Sequence, residues 1–133
     1  MGTLNWARVS VLGVVATAGC VTGLGLRASP MMSFAPSLVT LRVDFSDVTD
    51  VESIYCPMLE WDFDDGSKSI RGSDCVPYRP GIERESRFSI THCYGAGDFN
   101  PTVRVLRGGR AVLSRTAPTV RVKWSPVGVS CAS

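Results

Sequence analysis

From residue 38 the chain alternates between apolar and polar positions. Val39, Leu41, Val43 and Phe45 interleave with Leu38, Thr40, Arg42 and Asp44. A period of two predicts a strand with one buried face. Ile54 to Phe63 holds a second strand region, with Leu59, Trp61 and Phe63 on one face and Glu60, Asp62 and Asp64 on the other. Asp65-Gly66 then supplies a tight turn, with Gly66 taking the positive φ. Arg71 to Glu85, with Pro77, Pro80 and Gly81, reads as irregular. Phe88 to Tyr94, Thr102 to Leu106, Ala111 to Ser114 and Thr119 to Trp124 complete the strand regions, and Arg107-Gly108-Gly109-Arg110 is a hairpin connection. No segment sustains a helical period. Roughly six or seven short strands with regular turns predict an all-β sandwich of two sheets.

The N-terminus has a different texture. Residues 9–26 carry no charge and are mostly apolar, behind the single base Arg8. This is the layout of a secretory signal peptide or of an anchor helix. Ala16-Thr17-Ala18 is a site for signal peptidase. Thr17-Ala18-Gly19-Cys20 resembles a bacterial lipobox, in which Cys20 is lipidated, although Thr17 and Val21 depart from its usual residues. As a retained signal anchor the run to Leu26 is barely long enough. All three fates place the remaining chain outside the cytoplasm, secreted or anchored to the envelope. Residues 27–36 show no periodicity and contain Pro30 and Pro36. The expected organisation is therefore a signal or anchor over 1–20, a flexible linker over 21–36, the sandwich over 37–124 and a tail over 125–133.

Composition narrows the class. At 44% hydrophobic and 20% charged residues the chain is globular, and 13 Gly with 8 Pro in no period suit strands and turns. About a hundred residues outside the N-terminal segment suffice for one small core and leave little for an elaborate enzyme. A net charge of +2 gives no reason to expect nucleic acid. Residues 37–65 hold eight acids and one base, while residues 66–133 hold eleven bases and four acids. Strands from the two halves are expected to pack together and mix these charges. Arg104, Arg107, Arg110, Arg115, Arg121 and Lys123 alternate with apolar residues, which reads as the wet face of a sheet rather than as a polyanion site.

There are five cysteines: Cys20, Cys56, Cys75, Cys93 and Cys131. Without Cys20, four remain for two disulfides in an oxidising compartment, with three possible pairings. The preferred pairing is Cys56–Cys75, around a predicted hairpin, and Cys93–Cys131, which ties down the tail. Zinc held by Cys75, Cys93, Cys131 and His92 lacks any C-x-x-C spacing. His92 and Cys93, as strand neighbours, face opposite ways and make no nucleophile–base pair.

Three motifs in order carry a resemblance. Trp61-Asp62-Phe63-Asp64-Asp65-Gly66, then His92-Cys93-Tyr94, then Gly97 to Val105 resemble the PKD-domain signature, with Val120-Arg121-Val122 standing for its last strand. The family shows W-D-F-G-D-G, H-x-Y and G-x-Y-x-V-x-L. Here Asp64 replaces a Gly, Phe99 stands where Tyr is common, and an insertion over about residues 70–86 separates the first two motifs. The resemblance, over residues 37–124, implies an immunoglobulin-like sandwich in a disulfide-stapled bacterial variant. It also implies a role in interaction and spacing, not chemistry, and makes His92 a structural hydrogen-bonding residue. Trp61 and Phe63 are expected in the inter-sheet core, and His92 and Tyr94 on the face opposite Cys93.

These readings lead to a non-enzymatic extracytoplasmic module, a monomeric domain without a cofactor. Its partner would be an envelope protein or a glycan, and it would meet the membrane only through its N-terminal segment. The competing reading is a calcium- or glycan-binding accessory module of a secreted enzyme system. Calcium would draw on Asp62, Asp64 and Asp65, with Asp44, Asp47 and Asp50 adding ligands where the two loops meet. A glycan groove would draw on Tyr55, Tyr78 and Trp124.

Overall fold

The computed structural model of the chain describes residues 2, 23–49, 52, 54–127 and 131. Among them there is no helix, and ten strands follow in order: β1 (Gly25–Ser29), β2 (Met32–Phe34), β3 (Ser37–Asp44), β4 (Met58–Asp62), β5 (Lys68–Arg71), β6 (Arg87–Tyr94), β7 (Gly97–Phe99), β8 (Thr102–Arg107), β9 (Arg110–Thr116) and β10 (Val120–Lys123). They form three sheets, ordered β1-β3-β6, β2-β10-β7 and β5-β4-β8-β9. The second and third meet at a corner. β7 leads into β8 through Asn100-Pro101, β9 leads into β10 through residues 117–119, and Ala117 N–H donates to the Pro101 carbonyl at 2.8 Å across the bend. The molecule is a β-sandwich in outline, as the alternation predicts.

The alternation decides which faces are buried. Val39, Leu41, Val43 and Phe45 are fully buried along β3 and just beyond it. Leu59 and Trp61 on β4 pair with Val105 and Val103 on β8, and all four are buried. Val120 and Val122 complete the layer from β10. Burying a large aliphatic or aromatic side chain is worth about 1.5–3 kcal/mol each, so these positions carry the fold. The polar partners on the same strands remain outside. Glu60 sits directly opposite Arg104 in the register, at 3.0 Å, and Arg104 also meets Asp62 at 3.5 Å. Lys68–Asp62 and Arg87–Asp44 likewise join the basic half of the sequence to the acidic half.

The expected linker over 21–36 is corrected. β1 and β2 lie inside it, with β1 antiparallel to β3 and β2 parallel to β10. The reason is a short alternation that the preceding apolar run hides: Leu24, Leu26 and Ala28 are buried, while Gly25, Arg27 and Ser29 are exposed. Pro30 and Pro36 fall between strands, where no ladder N–H is required. The sandwich thus begins near residue 24 rather than 37. β5 and β7 are further differences, since neither residues 68–71 nor residues 97–99 stand among the strand regions read from the sequence.

Turns follow the glycines that the sequence marks. Gly108 and Gly109 have φ of 55° and 78° in the β8–β9 hairpin, the arrangement a two-residue turn requires. Residues 72–86 carry no strand, in line with the irregular stretch expected there. The two disulfides are Cys56–Cys75 and Cys93–Cys131, each with Cα atoms 6.0 Å apart. Cys56–Cys75 staples the irregular stretch to the entrance of β4. Cys93–Cys131 holds the chain end on the outer face of β6. In the chain-entropy model, loops of these lengths contribute about 3–4 kcal/mol each.

Candidate functional site

The motif residues converge on the β4–β5 turn. Asp62 Oδ1 accepts the Asp64 amide at 3.0 Å, and Asp64 takes a left-handed φ of 62°, followed by Gly66 at 88°. An aspartate tolerates this conformation better than most residues, so Asp64 can occupy a position where a glycine would otherwise be favoured. Asp65 then caps its own turn. Its Oδ1 accepts the Ser67 amide at 3.0 Å and also the Ser67 hydroxyl.

The turn is bound to β6 by the second motif. His92 Nε2 and Asp65 Oδ2 lie 2.6 Å apart. Burial pushes the Asp65 carboxyl up, but hydrogen bonds from Ser67 and the His92 ring outweigh it and hold the group below its usual range. An ionised carboxylate only accepts, so Nε2 carries the proton of this bond. The His92 ring stacks on Phe63 with centroids 3.8 Å apart and planes 3° from parallel, and it meets the Tyr94 ring edge-on at 4.6 Å. Tyr94 is fully buried and its hydroxyl donates to the Phe63 carbonyl at 2.9 Å. Burial, reinforced by the negative charges of Asp65, Asp64 and Asp62, pushes the Tyr94 phenol far above its ordinary range. The third motif closes the group: Phe99 stacks on Tyr94 at 4.5 Å, and Asp64 Oδ2 accepts the Asn100 amide at 2.9 Å. Asn100 Nδ2 in turn donates to Thr119 Oγ1 at 3.0 Å.

The cluster joins the β4–β5 turn to β6 and to the β7–β8 connection. The Ser67 hydroxyl meets Asp65 rather than the His92 ring, so the histidine does not orient this serine. Cys93 lies on the opposite face, and Cys75, Cys93 and Cys131 are all in disulfides, which leaves no thiol for the zinc or nucleophile readings.

The three calcium candidates are neighbours in sequence but are not brought together as ligands. Asp62 meets Lys68 and Arg104, Asp64 meets Asn100, and Asp65 meets Ser67 and His92. Asp44 is occupied by Arg87 and Ser46, and Asp50 lies outside the described residues. Among the described residues no group of three or more metal-ligating side chains converges. Of the groove candidates, Tyr55 and Tyr78 pair at 5.5 Å, and the Tyr55 hydroxyl donates to the Val76 carbonyl at 2.6 Å. Trp124, the residue after β10, is 73% exposed. The cavity that Tyr55 lines, beside the Cys56–Cys75 disulfide, is about 130 Å³, and a second of about 250 Å³ lies between Trp61, Arg71 and Phe88.

Sequence reasoning missed two features. Asn100 links the turn to the β9–β10 corner, a contact that only the fold brings about. Met32 and Phe34 share a face of β2 and are 61% and 65% exposed. They lay in the segment read as linker. Cys20 and the cleavage candidates around it lie outside the described residues. Comparison with protein-family models, with curated proteins and with solved structures finds no match to this chain.

Proposed function

We propose that the chain is a non-enzymatic extracytoplasmic module of the PKD, immunoglobulin-like type, which mediates protein–protein or protein–glycan contact at a bacterial envelope. The observation that carries the reading is the mutual engagement of the motif residues. Phe63, Asp65, His92 and Tyr94 engage one another and the backbone, and Trp61 is buried in the core, so the residues most suggestive of chemistry act as fold-holding groups. The strand order supports the immunoglobulin-like type. β1, β3 and β6 match the first-sheet order of that fold, and β4, β8 and β9 match the second, with β5 as an added edge strand. The two disulfides favour an oxidising compartment.

Burial of Leu24 and Leu26 bears on how the module is held. If the sandwich keeps them, the uncharged run outside it shortens to residues 9–23. Fifteen residues make a helix of about 22 Å, short of the ~30 Å hydrocarbon core. A cut near Ala28 would remove most of β1. Processing near Cys20 preserves the strand, and Cys20 is the cysteine left over from the two disulfides. We therefore favour lipidation at Cys20.

The contact surface in this reading is edge strand β2, where Met32 and Phe34 share a face and are exposed. A photo-crosslinking residue at Phe34, tested in intact envelopes, is expected to give a discrete protein or glycan adduct. The same residue at Arg110, on the far hairpin, is expected to give none. Equal, diffuse labelling at both positions would contradict the reading.

A further inference from the structure

The outer face of the β1-β3-β6 sheet carries a cleft of about 420 Å³ lined by Gly25, Arg27, Arg42, Asp44, Asp47 and Arg87. The β1–β3 register sets Arg27 directly opposite Arg42, and both side chains are exposed. Like charges facing each other across an antiparallel pair destabilise it. Among the described residues neither arginine has a carboxylate within ion-pair distance, whereas Arg87 is paired with Asp44 at 3.2 Å. Asp44 is further held by the Ser46 amide and hydroxyl, and Asp47 is exposed. Two adjacent guanidinium forks on paired strands, opening into one cleft, suit a phosphate group, whose oxygens accept their planar N–H donors.

The position of the cleft indicates where the phosphate comes from. Gly25 both lines the cleft and begins β1. From Cys20 to Gly25 the chain reaches at most about 18 Å. A sandwich tethered at Cys20 therefore keeps this cleft within reach of the headgroup layer, where each arginine near an anionic surface strengthens attachment about fivefold. We propose that Arg27 and Arg42 bind the phosphates of anionic phospholipid headgroups and lay the β1-β3-β6 sheet against the bilayer. The proposal rests on the anchoring at Cys20 favoured above.

The full chain, bound to vesicles, tests both ideas separately. Flotation with pure phosphatidylcholine vesicles reports anchoring without the cleft. Arginine labelling by phenylglyoxal, read residue by residue, reports the cleft. On mixed phosphatidylcholine–phosphatidylglycerol vesicles, labelling of Arg27 and Arg42 is expected to fall severalfold relative to pure phosphatidylcholine, while Arg121 on the β2-β10-β7 sheet is unchanged. High salt is expected to restore it. An Arg27→Gln/Arg42→Gln variant should still float with both vesicles. It should also be at least as stable as the wild type without vesicles, because the like-charge pair is gone. Equal labelling of Arg27 and Arg42 on the two vesicle types would overturn the proposal even if flotation succeeds. Equal protection by inorganic phosphate without vesicles would overturn its membrane source. Failure to float would count against the anchor instead.

Discussion

Asp65 Oδ2 and His92 Nε2 lie 2.6 Å apart and join the β4–β5 turn to β6, across 27 residues of sequence. Because the carboxylate also caps the turn through Ser67, one side chain fixes both the local shape and its docking. Asp65→Ala is expected to cost about 1–3 kcal/mol, since it leaves the Ser67 amide and the histidine N–H without their acceptor. His92→Ala should cost a similar amount, and the double variant less than the sum. Denaturant unfolding with the disulfides intact measures all three.

The same carboxylate predicts an acid limb. Asp65 and Asp44 are both held below their usual range, Asp44 chiefly by hydrogen bonds from the Ser46 hydroxyl and amide, with Arg87 adding to them. A group with a depressed folded-state pKa binds fewer protons folded than unfolded. Its contribution is therefore complete above the unfolded value of about 3.9 and disappears as the pH falls through the lower folded value. Stability should decline on acidification below about pH 4–5. In Asp65→Asn the decline should be shallower, which thermal unfolding across that range would reveal.

Tyr94 gives an alkaline counterpart. Its buried phenol is pushed up by desolvation and by the neighbouring aspartates, so it stays protonated where an ordinary tyrosine ionises. Phenolate absorbance measured before alkaline unfolding should have the same amplitude in wild type and in Tyr94→Phe. The variant should nonetheless lose about 1–2 kcal/mol, because the Phe63 carbonyl loses its donor.

Leu26 tests where the sandwich begins. It is buried on β1, opposite Val43 in the register. Leu26→Ala is expected to cost about 2–5 kcal/mol, the range for a core leucine, whereas a linker residue would cost almost nothing. Denaturant midpoints of the two proteins decide between these outcomes.

Much of this was legible in the sequence because a period of two survives reading without structure. Val39 to Phe45 and Leu59 to Phe63 declare their buried face, and Gly66, Gly108 and Gly109 declare their turns. Both disulfides matched the preferred pairing, since the irregular stretch and the tail each needed one tie. β1 was hidden because Leu24 and Leu26 continue an apolar run whose composition speaks of export, and three alternating residues do not outweigh that signal. The Asp65–His92 bond and the Asn100 bridge were beyond reach for a different reason. They depend on which strands become neighbours, which residue type and spacing alone leave open. The Arg27–Arg42 pair is likewise a product of register.

The central claim is that an extracytoplasmic, disulfide-stapled sandwich is tethered just ahead of β1. The most direct measurement is the intact mass of the mature protein from its native envelope fraction, before and after reduction. The account predicts a chain beginning at Cys20 with an added lipid mass, which gains the mass of four hydrogens on reduction. A chain beginning within or beyond β1, or one whose mass does not change on reduction, would contradict it.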